Sequence, residues 1–172
     1  MRGLNPFGGG DGDDLFDPYD AFVPKHLPEP GGFLTDHDVL VDDDHVEFHT
    51  IARDVFEQRG VYDMTFGYNL ARLNLDHRHP HAGFRYARER DSPSIVRAVF
   101  TPTTPFCPQA HTLVTGSFRA WNGLEGNYDY ELVRVRVDDM HHNSEAINAD
   151  LADLEVNSGE KESTDHGVSS PF

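Results

Sequence analysis

The chain of 172 residues has room for one domain with tails, and a hydrophobic share of 37% is enough for a core. Its 14 Lys and Arg against 30 Asp and Glu leave a net charge of −16, and no basic stripe stands out, so we expect no nucleic-acid or membrane-surface partner. No apolar run approaches the roughly 20 residues that span a bilayer, and we expect a soluble, cytoplasmic protein.

Short carboxylates dominate the charged residues, because Asp outnumbers Glu 20 to 10 and only two Lys accompany 12 Arg. A carboxylate-coated surface stays hydrated where molar salt screens its self-repulsion, whereas in dilute buffer it repels itself. The composition therefore predicts a halophilic protein that loses stability at low salt. An ordinary acidic protein is the alternative.

The two ends of the chain differ from its middle in composition. Residues 1–32 are crowded with Gly, Pro and acidic side chains, which predicts a disordered acidic tail. Its aromatic residues, between positions 16 and 22, could dock as a strap on the domain or on a partner. Residues 156–172 are polar and predict a second, flexible tail. The expected single domain covers residues 33–155.

The first predicted elements of this domain are a helix and a strand. Apolar residues at i, i+3, i+4 and i+7 from Phe48 predict a helix that begins near the acidic run 42–44 and ends at Gly60. Alternating apolar residues then predict a strand over residues 62–70, among them Met64 and Phe66.

After this strand the apolar residues fall at odd-numbered instead of even-numbered positions. Because a strand cannot exchange its two faces without a break, this change indicates a break near residues 71–72. Residues 76–91 are polar and predict a loop, and the apolar run 95–100 predicts a second strand. A helix over 108–121 and a strand over 133–137 follow, and residues 147–154 mark a last helix. The order α-β-β-α-β-α predicts an α+β fold, a small two-layer α/β sandwich.

Cys107 is the single cysteine, which excludes an intramolecular disulfide and a self-contained zinc knuckle. The chain reaches it from a predicted strand, and Pro108 suits the first helical position. At such a junction, the positive end of a helix dipole makes sulfur a better nucleophile or metal ligand. His111 lies one helical turn later, and Thr101 and Thr103 place hydroxyls nearby. A buried, inert cysteine is the alternative.

The segment 101–108, Thr-Pro-Thr-Thr-Pro-Phe-Cys-Pro, resembles a motif of the metal-sulfur cluster assembly domain family. That domain occurs in the SUF-linked T protein, the phenylacetate-oxygenase D protein and the eukaryotic cytosolic iron-sulfur targeting factors. Residues 141–155 are similar to the end of the eukaryotic-type domain, where a histidine and a Ser-Glu pair precede an asparagine and a Leu-Ala-Asp helix. Either His141 or His142 takes the place of the family histidine. The resemblance covers residues 94–155 and suggests a divergent, haloarchaeal-like member.

The resemblance implies a factor that assembles iron-sulfur clusters or delivers them to recipient apoproteins, with Cys107 essential. Its implied partners are iron-sulfur assembly proteins and those recipients, and its implied cofactor is a transient iron-sulfur cluster. Because a cluster ordinarily takes four protein ligands, a homodimer, a partner protein or a small thiol must complete the set. His142 is a nitrogen ligand candidate if the fold brings it near Cys107.

Three alternating histidines offer a different chemistry. In an extended segment, His77, His79 and His81 would share one side and could bind iron or zinc. A solvated loop is the alternative reading of this segment. Two other functions thus stay open beside cluster assembly. One is an enzyme, built on Cys107 with His111 as base or on a metal at these histidines, and the other is a noncatalytic interaction adaptor.

Overall fold

The computed structural model describes residues 15–63, 67–123 and 130–164, and for residues 157–164 it describes the backbone alone. Within these ranges the α-helices are α1 (Gly32–Thr35), α2 (Asp42–Arg59), α3 (Ala110–Gly123) and α4 (Ser144–Thr164). The strands are β1 (Asp38–Val39), β2 (Tyr62–Asp63), β3 (Tyr68–Asn69), β4 (Gly83–Arg88), β5 (Ile95–Thr101) and β6 (Leu132–Val137). Two short 3₁₀ helices cover Pro24–His26 and Leu70–Leu75.

The main sheet has four strands in the order β1-β4-β5-β6. Strand β4 runs antiparallel to β1 and to β5, whereas β5 and β6 are parallel and are connected through α3. The carboxyl ends of two parallel neighbours lie at the same edge of a sheet. The loops that follow β5 and β6, residues 102–109 and 138–143, are therefore neighbours.

One face of this sheet forms the core with the long helices. The alternating residues that point to it are all buried: Phe84, Tyr86, Val96, Ala98, Phe100, Val133, Val135 and Val137. Trp121 of α3 lies at the centre, with its ring centroid 4.9 Å from that of Phe56 on α2 and 5.2 Å from that of Phe84 on β4. A sheet with helices packed against it is the predicted α+β arrangement, and the fold class is confirmed.

The opposite face of the sheet carries arginines held by two carboxylates. Oε2 of Glu89 accepts hydrogen bonds from Nε of Arg97 and from Nε of Arg134, each at 2.8 Å. Glu155 of α4 accepts from Arg134 at 2.9 Å through Oε1 and from Arg136 through Oε2. Charged side chains thus satisfy one another across strands β5 and β6 and attach the later part of α4 to the sheet.

The predicted helices and two of the predicted strands are confirmed. Helix α2 carries three acidic residues in its first turn and ends at Gly60, whose φ of +73° closes it in the left-handed region that glycine adopts readily. Strands β5 and β6 and helices α3 and α4 lie over the residues that the periodicity indicates. Helix α3 spans Ala110–Gly123 and is thus displaced by two residues from the predicted range 108–121.

The single strand predicted over residues 62–70 is wrong in its described part. Strands β2 and β3 are two residues each and pair as an antiparallel hairpin. Met64 and Phe66 lie outside the described residues. The predicted break near residues 71–72 falls within the 3₁₀ helix Leu70–Leu75, which the Asn69 side chain caps by accepting from the Ala71 N–H at 2.9 Å.

The loop predicted over residues 76–91 contains strand β4, and that prediction is corrected. The arginines of β4 made this segment look polar in the sequence. In the structure, Phe84 and Tyr86 face the core, whereas Arg85 between them faces the other side of the sheet. The Arg85 guanidinium is satisfied in part by donating from Nη1 to the carbonyl oxygen of Pro28 at 3.0 Å. An arginine that reaches a main-chain acceptor can occupy a buried strand.

The boundaries of the predicted tails also change. Residues 15–31 lie against the domain instead of forming a disordered tail, with Leu27 buried. Their aromatic residues dock on the domain, as the strap alternative of the prediction has it: Tyr19 stacks on His49 at 6.3 Å, and Phe22 packs on His45 at 5.1 Å between ring centroids. At the other end, α4 continues to Thr164, past the predicted boundary at residue 155. Residues 1–14 and 165–172 lie outside the described residues.

Candidate functional site

The loop that carries Cys107 is built from consecutive turns. The Phe106 N–H donates to Oγ1 of Thr104 at 3.2 Å, and the Cys107 N–H donates to the Thr104 carbonyl at 3.4 Å. The Ala110 N–H then donates to the Cys107 carbonyl at 3.3 Å, and α3 begins at Ala110. Cys107 therefore lies at the strand-to-helix junction that the sequence predicts, but Pro108 precedes the helix instead of opening it.

His141 fastens this loop to the one that follows β6. Its Nε2 lies 2.9 Å from the carbonyl oxygen of Cys107, and its Nδ1 accepts from the Asn143 N–H at 3.1 Å. A carbonyl can only accept, so Nε2 carries the proton and both ring nitrogens are engaged. The imidazole is buried. His141 is thus a structural clamp on Cys107 and has no free lone pair for a metal.

His142 presents its imidazole differently. Its main-chain N–H donates to the Pro105 carbonyl at 2.9 Å, which fixes the backbone beside the cysteine loop. Its side chain is exposed and packs against the ring of Phe106, 5.3 Å between centroids. Phe106 itself is 69% exposed, although large apolar side chains usually avoid water. Cys107, Phe106 and His142 therefore share one surface of the molecule.

The other predicted site residues lie on the same loop or at the start of α3. Thr101 is the last residue of β5, and both Thr101 and Thr103 are half-buried. Nε2 of His111 lies 3.0 Å from Oδ2 of Asp150 on α4, and both side chains are about half exposed. Within the described residues, the thiol of Cys107 forms no hydrogen bond to His111. No local pattern in the sequence indicates Asp150, because this contact depends on how two helices pack.

A second group of side chains joins the N-terminal segment to the loop after the 3₁₀ helix Leu70–Leu75. Nδ1 of His26 lies 2.8 Å from Oδ2 of Asp17, and Nε2 of His77 lies 2.7 Å from Oδ1 of the same carboxylate. The ligand atoms of the three residues all lie within 4.8 Å of one another. Burial raises the pKa of the Asp17 carboxyl, but the hydrogen bonds to His26 and His77 outweigh burial and leave that pKa below its ordinary value.

The extended arrangement assumed for His77, His79 and His81 is wrong. The His79 N–H donates to the Asp76 carbonyl at 3.0 Å, and the Ala82 N–H donates to the His79 carbonyl at 3.2 Å, so the segment turns repeatedly. Of the three histidines, His77 alone belongs to the group with Asp17 and His26. Because these two partners lie on a distant segment, no local spacing in the sequence indicates them.

Two further histidines are stacked inside the domain, at the base of the N-terminal segment. His45 and His49 of α2 lie 5.5 Å apart between ring centroids. His49 donates from Nε2 to the Ala71 carbonyl at 2.7 Å and accepts from the Tyr86 hydroxyl at 2.6 Å. Burial lowers the pKa of His49 to about 4, and burial with the nearby positive groups lowers the pKa of His45 to about 2. Both imidazoles are therefore neutral at neutral pH.

An open cleft of about 590 Å³ separates the N-terminal segment from α2 and the β2-β3 hairpin. The Arg72 guanidinium lies 3.8 Å from the Phe16 ring centroid, and that of Arg53 lies 4.8 Å from the Tyr19 ring centroid. Asp17 is also part of the lining. The cleft thus combines aromatic rings with two cations, and it adjoins the Asp17 carboxylate.

Among the helices that the structure describes, none is both long and apolar enough to cross a membrane.

Comparisons with known proteins match the chain to a family model. No curated protein and no solved structure matches the chain. A family model described as "Domain of unknown function (DUF7998)" matches residues 14–165, which include the N-terminal segment and α4 in full. This match covers the range that contains the fold, the cysteine loop and the Asp17 cluster of this chain, and the chain belongs to the DUF7998 family.

Proposed function

We propose that the protein is a cytoplasmic, nonenzymatic factor for the assembly or targeting of iron-sulfur clusters that acts through Cys107. The observation that carries this proposal is the half-buried thiol on a loop that the buried His141 holds in place, beside the exposed Phe106 and His142. A thiolate is the ligand that iron-sulfur clusters require. The resemblance of residues 101–108 to cluster assembly domains supports the same role.

The cluster would be cargo, because one cysteine supplies one of the four ligands that a cluster ordinarily takes. The remaining ligands must come from a second copy of the chain, from an assembly protein, from a recipient apoprotein or from a small thiol. Weak, incomplete ligation suits a protein that passes the cluster on, since a complete set of protein ligands would retain it. Phe106 gives such a partner an apolar anchor next to the thiol.

The surrounding residues have distinct parts in this proposal. His141 positions the Cys107 backbone and cannot bind the metal, so His142 is the nitrogen ligand of the pair. Thr101 and Thr103, both half-buried, would supply hydroxyl groups beside the loop in this proposal. His111 is held by Asp150 at the side of the loop and can move a proton when the thiol is released or bound.

Anaerobic reconstitution with iron and sulfide in molar salt tests the proposal. We expect visible absorbance and bound iron for the wild type, loss of both for Cys107→Ala, and weaker retention for His142→Ala. His81→Ala is the matched control, because His81 is also an exposed loop histidine but lies outside the cysteine loop. Iron and colour retained in full by Cys107→Ala would contradict the proposal, as would a wild type that acquires neither.

Transfer separates a delivery role from simple binding. The reconstituted protein is mixed with an apo-ferredoxin, and the rate at which the ferredoxin acquires its cluster is followed by circular dichroism. Phe106→Ala should reconstitute normally and transfer more slowly. Val41→Ala is the control, because Val41 is another exposed apolar side chain, 44% exposed, and lies just before α2. Equal transfer rates for both variants would remove Phe106 from the proposal.

A cysteine-dependent enzyme is the second candidate, and the contact between His111 and Asp150 favours it. A nucleophile, an imidazole base and an orienting carboxylate are the parts of such a catalytic group. If His111 activates the thiol, His111→Gln should slow alkylation of Cys107 at neutral pH by at least about tenfold and Asp150→Asn should shift its pH profile. Unchanged rates in both variants would favour the assembly factor.

A further inference from the structure

We propose that Asp17, His26 and His77 form a binding site for a divalent transition-metal ion, and that the ion fastens the N-terminal segment to the domain. This site is separate from Cys107 and does not rest on its proposed function. The two imidazole nitrogens approach the two different oxygens of one carboxylate, at 2.8 Å and 2.7 Å. The ligand atoms of one carboxylate and two imidazoles thus lie within 4.8 Å of one another.

The spacing is close to what a metal ion requires. Metal–nitrogen and metal–oxygen bonds of about 2.0–2.1 Å place neighbouring ligand atoms roughly 2.9 Å apart in an octahedral shell and roughly 3.3 Å apart in a tetrahedral one. The nitrogen-to-oxygen distances in the cluster are shorter than these by a few tenths of an ångström. Because all the ligand atoms lie within 4.8 Å of one another, rotations of the three side chains can draw them around an ion in place of the shared protons.

The backbone already holds the ligands in position. The Asp17 N–H donates to the Leu75 carbonyl at 2.8 Å, and the His77 N–H donates to the Leu15 carbonyl at 2.7 Å. The carbonyl of His26 accepts from the His81 N–H at 2.9 Å. Main-chain hydrogen bonds thus join the N-terminal segment to residues 75–81 at or beside each of the three ligands. The chain therefore loses little further conformational freedom when an ion binds.

Burial also favours an ion at this position. The Asp17 side chain is 10% exposed, while those of His26 and His77 are 23% and 35% exposed. The carboxylate is thus mostly withdrawn from water, whereas the imidazoles leave a route by which an ion and a water ligand can enter. The net charge of −16 raises the local concentration of cations around the whole molecule.

The ligand chemistry defines the class of ion. Imidazole nitrogens suit zinc, iron(II), cobalt(II) and nickel(II), whereas magnesium and calcium prefer shells made of oxygen. Three protein ligands leave at least one position for water, as in zinc sites with an open position. The ion would connect Asp17 and His26 of the N-terminal segment with His77 of the domain, and it should therefore slow the opening of residues 15–31.

Cobalt(II) titration of the full-length, metal-free protein tests this site directly. The titration is followed by the visible d–d absorption of bound cobalt, in molar KCl with excess Mg²⁺ to occupy surface carboxylates. We expect one equivalent to bind and to be displaced by Zn²⁺. Asp17→Asn, His26→Gln and His77→Gln should each weaken binding by more than about 100-fold, since even loss of an outer hydrogen-bond partner costs 10- to 100-fold.

Three control variants test whether cobalt binding depends on the three proposed ligands alone. His79→Gln and His81→Gln remove neighbouring histidines that lie outside the cluster, and both should bind cobalt like the wild type. Cys107→Ala should also bind normally, so failure of cluster assembly and failure of this site can be told apart. Binding that survives all three ligand substitutions, or a wild type that binds no cobalt, would overturn the proposal.

Hydrogen exchange provides a readout that does not depend on the variants folding well. Addition of Zn²⁺ to the wild type should slow amide exchange in residues 15–31 and in residues 76–82, and should leave the loop 102–109 unchanged. Mg²⁺ at the same concentration is the control and should produce no such pattern. Exchange that Zn²⁺ slows equally throughout the chain, or nowhere, would contradict a metal that fastens the N-terminal segment.

Discussion

The imidazole of His141 and the main-chain carbonyl of Cys107 are joined by a hydrogen bond of 2.9 Å, although 34 positions separate the two residues. The bond joins the loop after β5 to the loop after β6, and it leaves the cysteine side chain free to react. The neighbouring residue, His142, contacts the same loop from the solvent side. The two adjacent histidines thus differ in their surroundings: His141 is buried between the two loops, whereas His142 is exposed beside Phe106.

Substitution of His141 should lower the stability of the protein, whereas substitution of His142 should hardly change it. His141→Ala leaves the Cys107 carbonyl and the Asn143 N–H without their partner, and should lower the free energy of unfolding by about 2 kcal/mol. The freed loop should also react faster with a thiol reagent. His142→Ala should change stability by less than about 0.5 kcal/mol, because its side chain is exposed. Urea unfolding and the rate of thiol modification measure both effects, and equal destabilisation by the two variants would contradict the clamp.

The stacked pair His45 and His49 should make the domain sensitive to mild acid. The unfolded chain protonates a histidine near pH 6.5, whereas the folded chain keeps His49 neutral to about pH 4 and His45 to about pH 2. Below pH 6.5 the unfolded state thus binds more protons, and stability falls as the pH falls. Each histidine should remove about 1 kcal/mol between pH 7 and pH 5.5.

The variant His45→Leu separates the contribution of His45 to this acid sensitivity from the contributions of other titrating groups. The charged groups that face the pair are Arg53 and Arg85, which stay charged over this range, and carboxyl groups titrate mostly below it. His45→Leu removes a ring whose Nδ1 is buried and has no hydrogen-bond partner in the described structure, so it should not lower stability at pH 7. It should halve the loss of stability at pH 5.5. His81→Gln, at an exposed loop position, should leave the loss unchanged in thermal melts.

Gly83 occupies a position that no other residue fits. Its φ is +117°, and a Cβ there would lie 2.1 Å from Oδ1 of Asn74, whose side chain bonds both the N–H and the carbonyl of Phe84. Gly83→Ala should therefore cost at least about 3 kcal/mol. Gly116→Ala within α3 is the matched substitution, because its Cβ would contact Val61 at an ordinary 3.7 Å. It should stabilise the protein by about 0.5–1 kcal/mol in chemical unfolding, and equal effects would contradict the steric argument.

Glu89 should contribute to stability in a pH-dependent way. Burial raises the pKa of its carboxyl, but hydrogen bonds from Arg97 and Arg134 outweigh burial and hold that pKa below the ordinary value of 4.5. The folded state therefore prefers the ionised form, so the stabilisation is complete above about pH 5 and is lost as the pH falls through the folded pKa. Glu89→Gln should cost about 2 kcal/mol at pH 7 and much less near pH 3.

Two comparisons check the Glu89 prediction. Glu47→Gln, an exposed substitution on α2, should be nearly neutral at both pH values. A cost for Glu89→Gln that stays constant from pH 7 to pH 3 would mean that lost packing, and not the charge, is responsible. Thermal melts of the three proteins across this range distinguish the outcomes.

The acidic composition predicts stabilisation by salt. With a net charge of −16, repulsion between carboxylates acts over about 30 Å at about 0.01 M salt and over about 3 Å at about 1 M salt. The melting temperature should therefore rise as KCl increases to the molar range, and sucrose at equal osmolarity should reproduce only part of the rise. A melting temperature that does not change with KCl would contradict halophilic behaviour.

The sequence predicts helices α2, α3 and α4 and strands β5 and β6, because their apolar patterns are local, but it fails over residues 62–70, where alternating residues form a short hairpin instead of one strand. It also predicts the junction at Cys107. It fails at β4, where Arg85 is accommodated by an acceptor in the N-terminal segment, the carbonyl of Pro28. It likewise cannot show that Asp17 and His77 meet, since 60 positions separate them. Local patterns reveal elements, whereas partners from distant segments emerge only when the chain is folded.

The pairing of the N-terminal segment with residues 75–77 has a kinetic consequence. The bridge between Phe16 and Asp76 and the hydrogen bonds of Leu15 and Asp17 beside it join positions far apart in the chain. Such contacts close a long loop, and the entropy of that loop must be lost before they stabilise the fold, so they should form after the sheet and helices have assembled. By the same reasoning they should open first when the native protein fluctuates. Residues 15–31 should thus be the last part of the domain to fold and the first to become accessible to a protease.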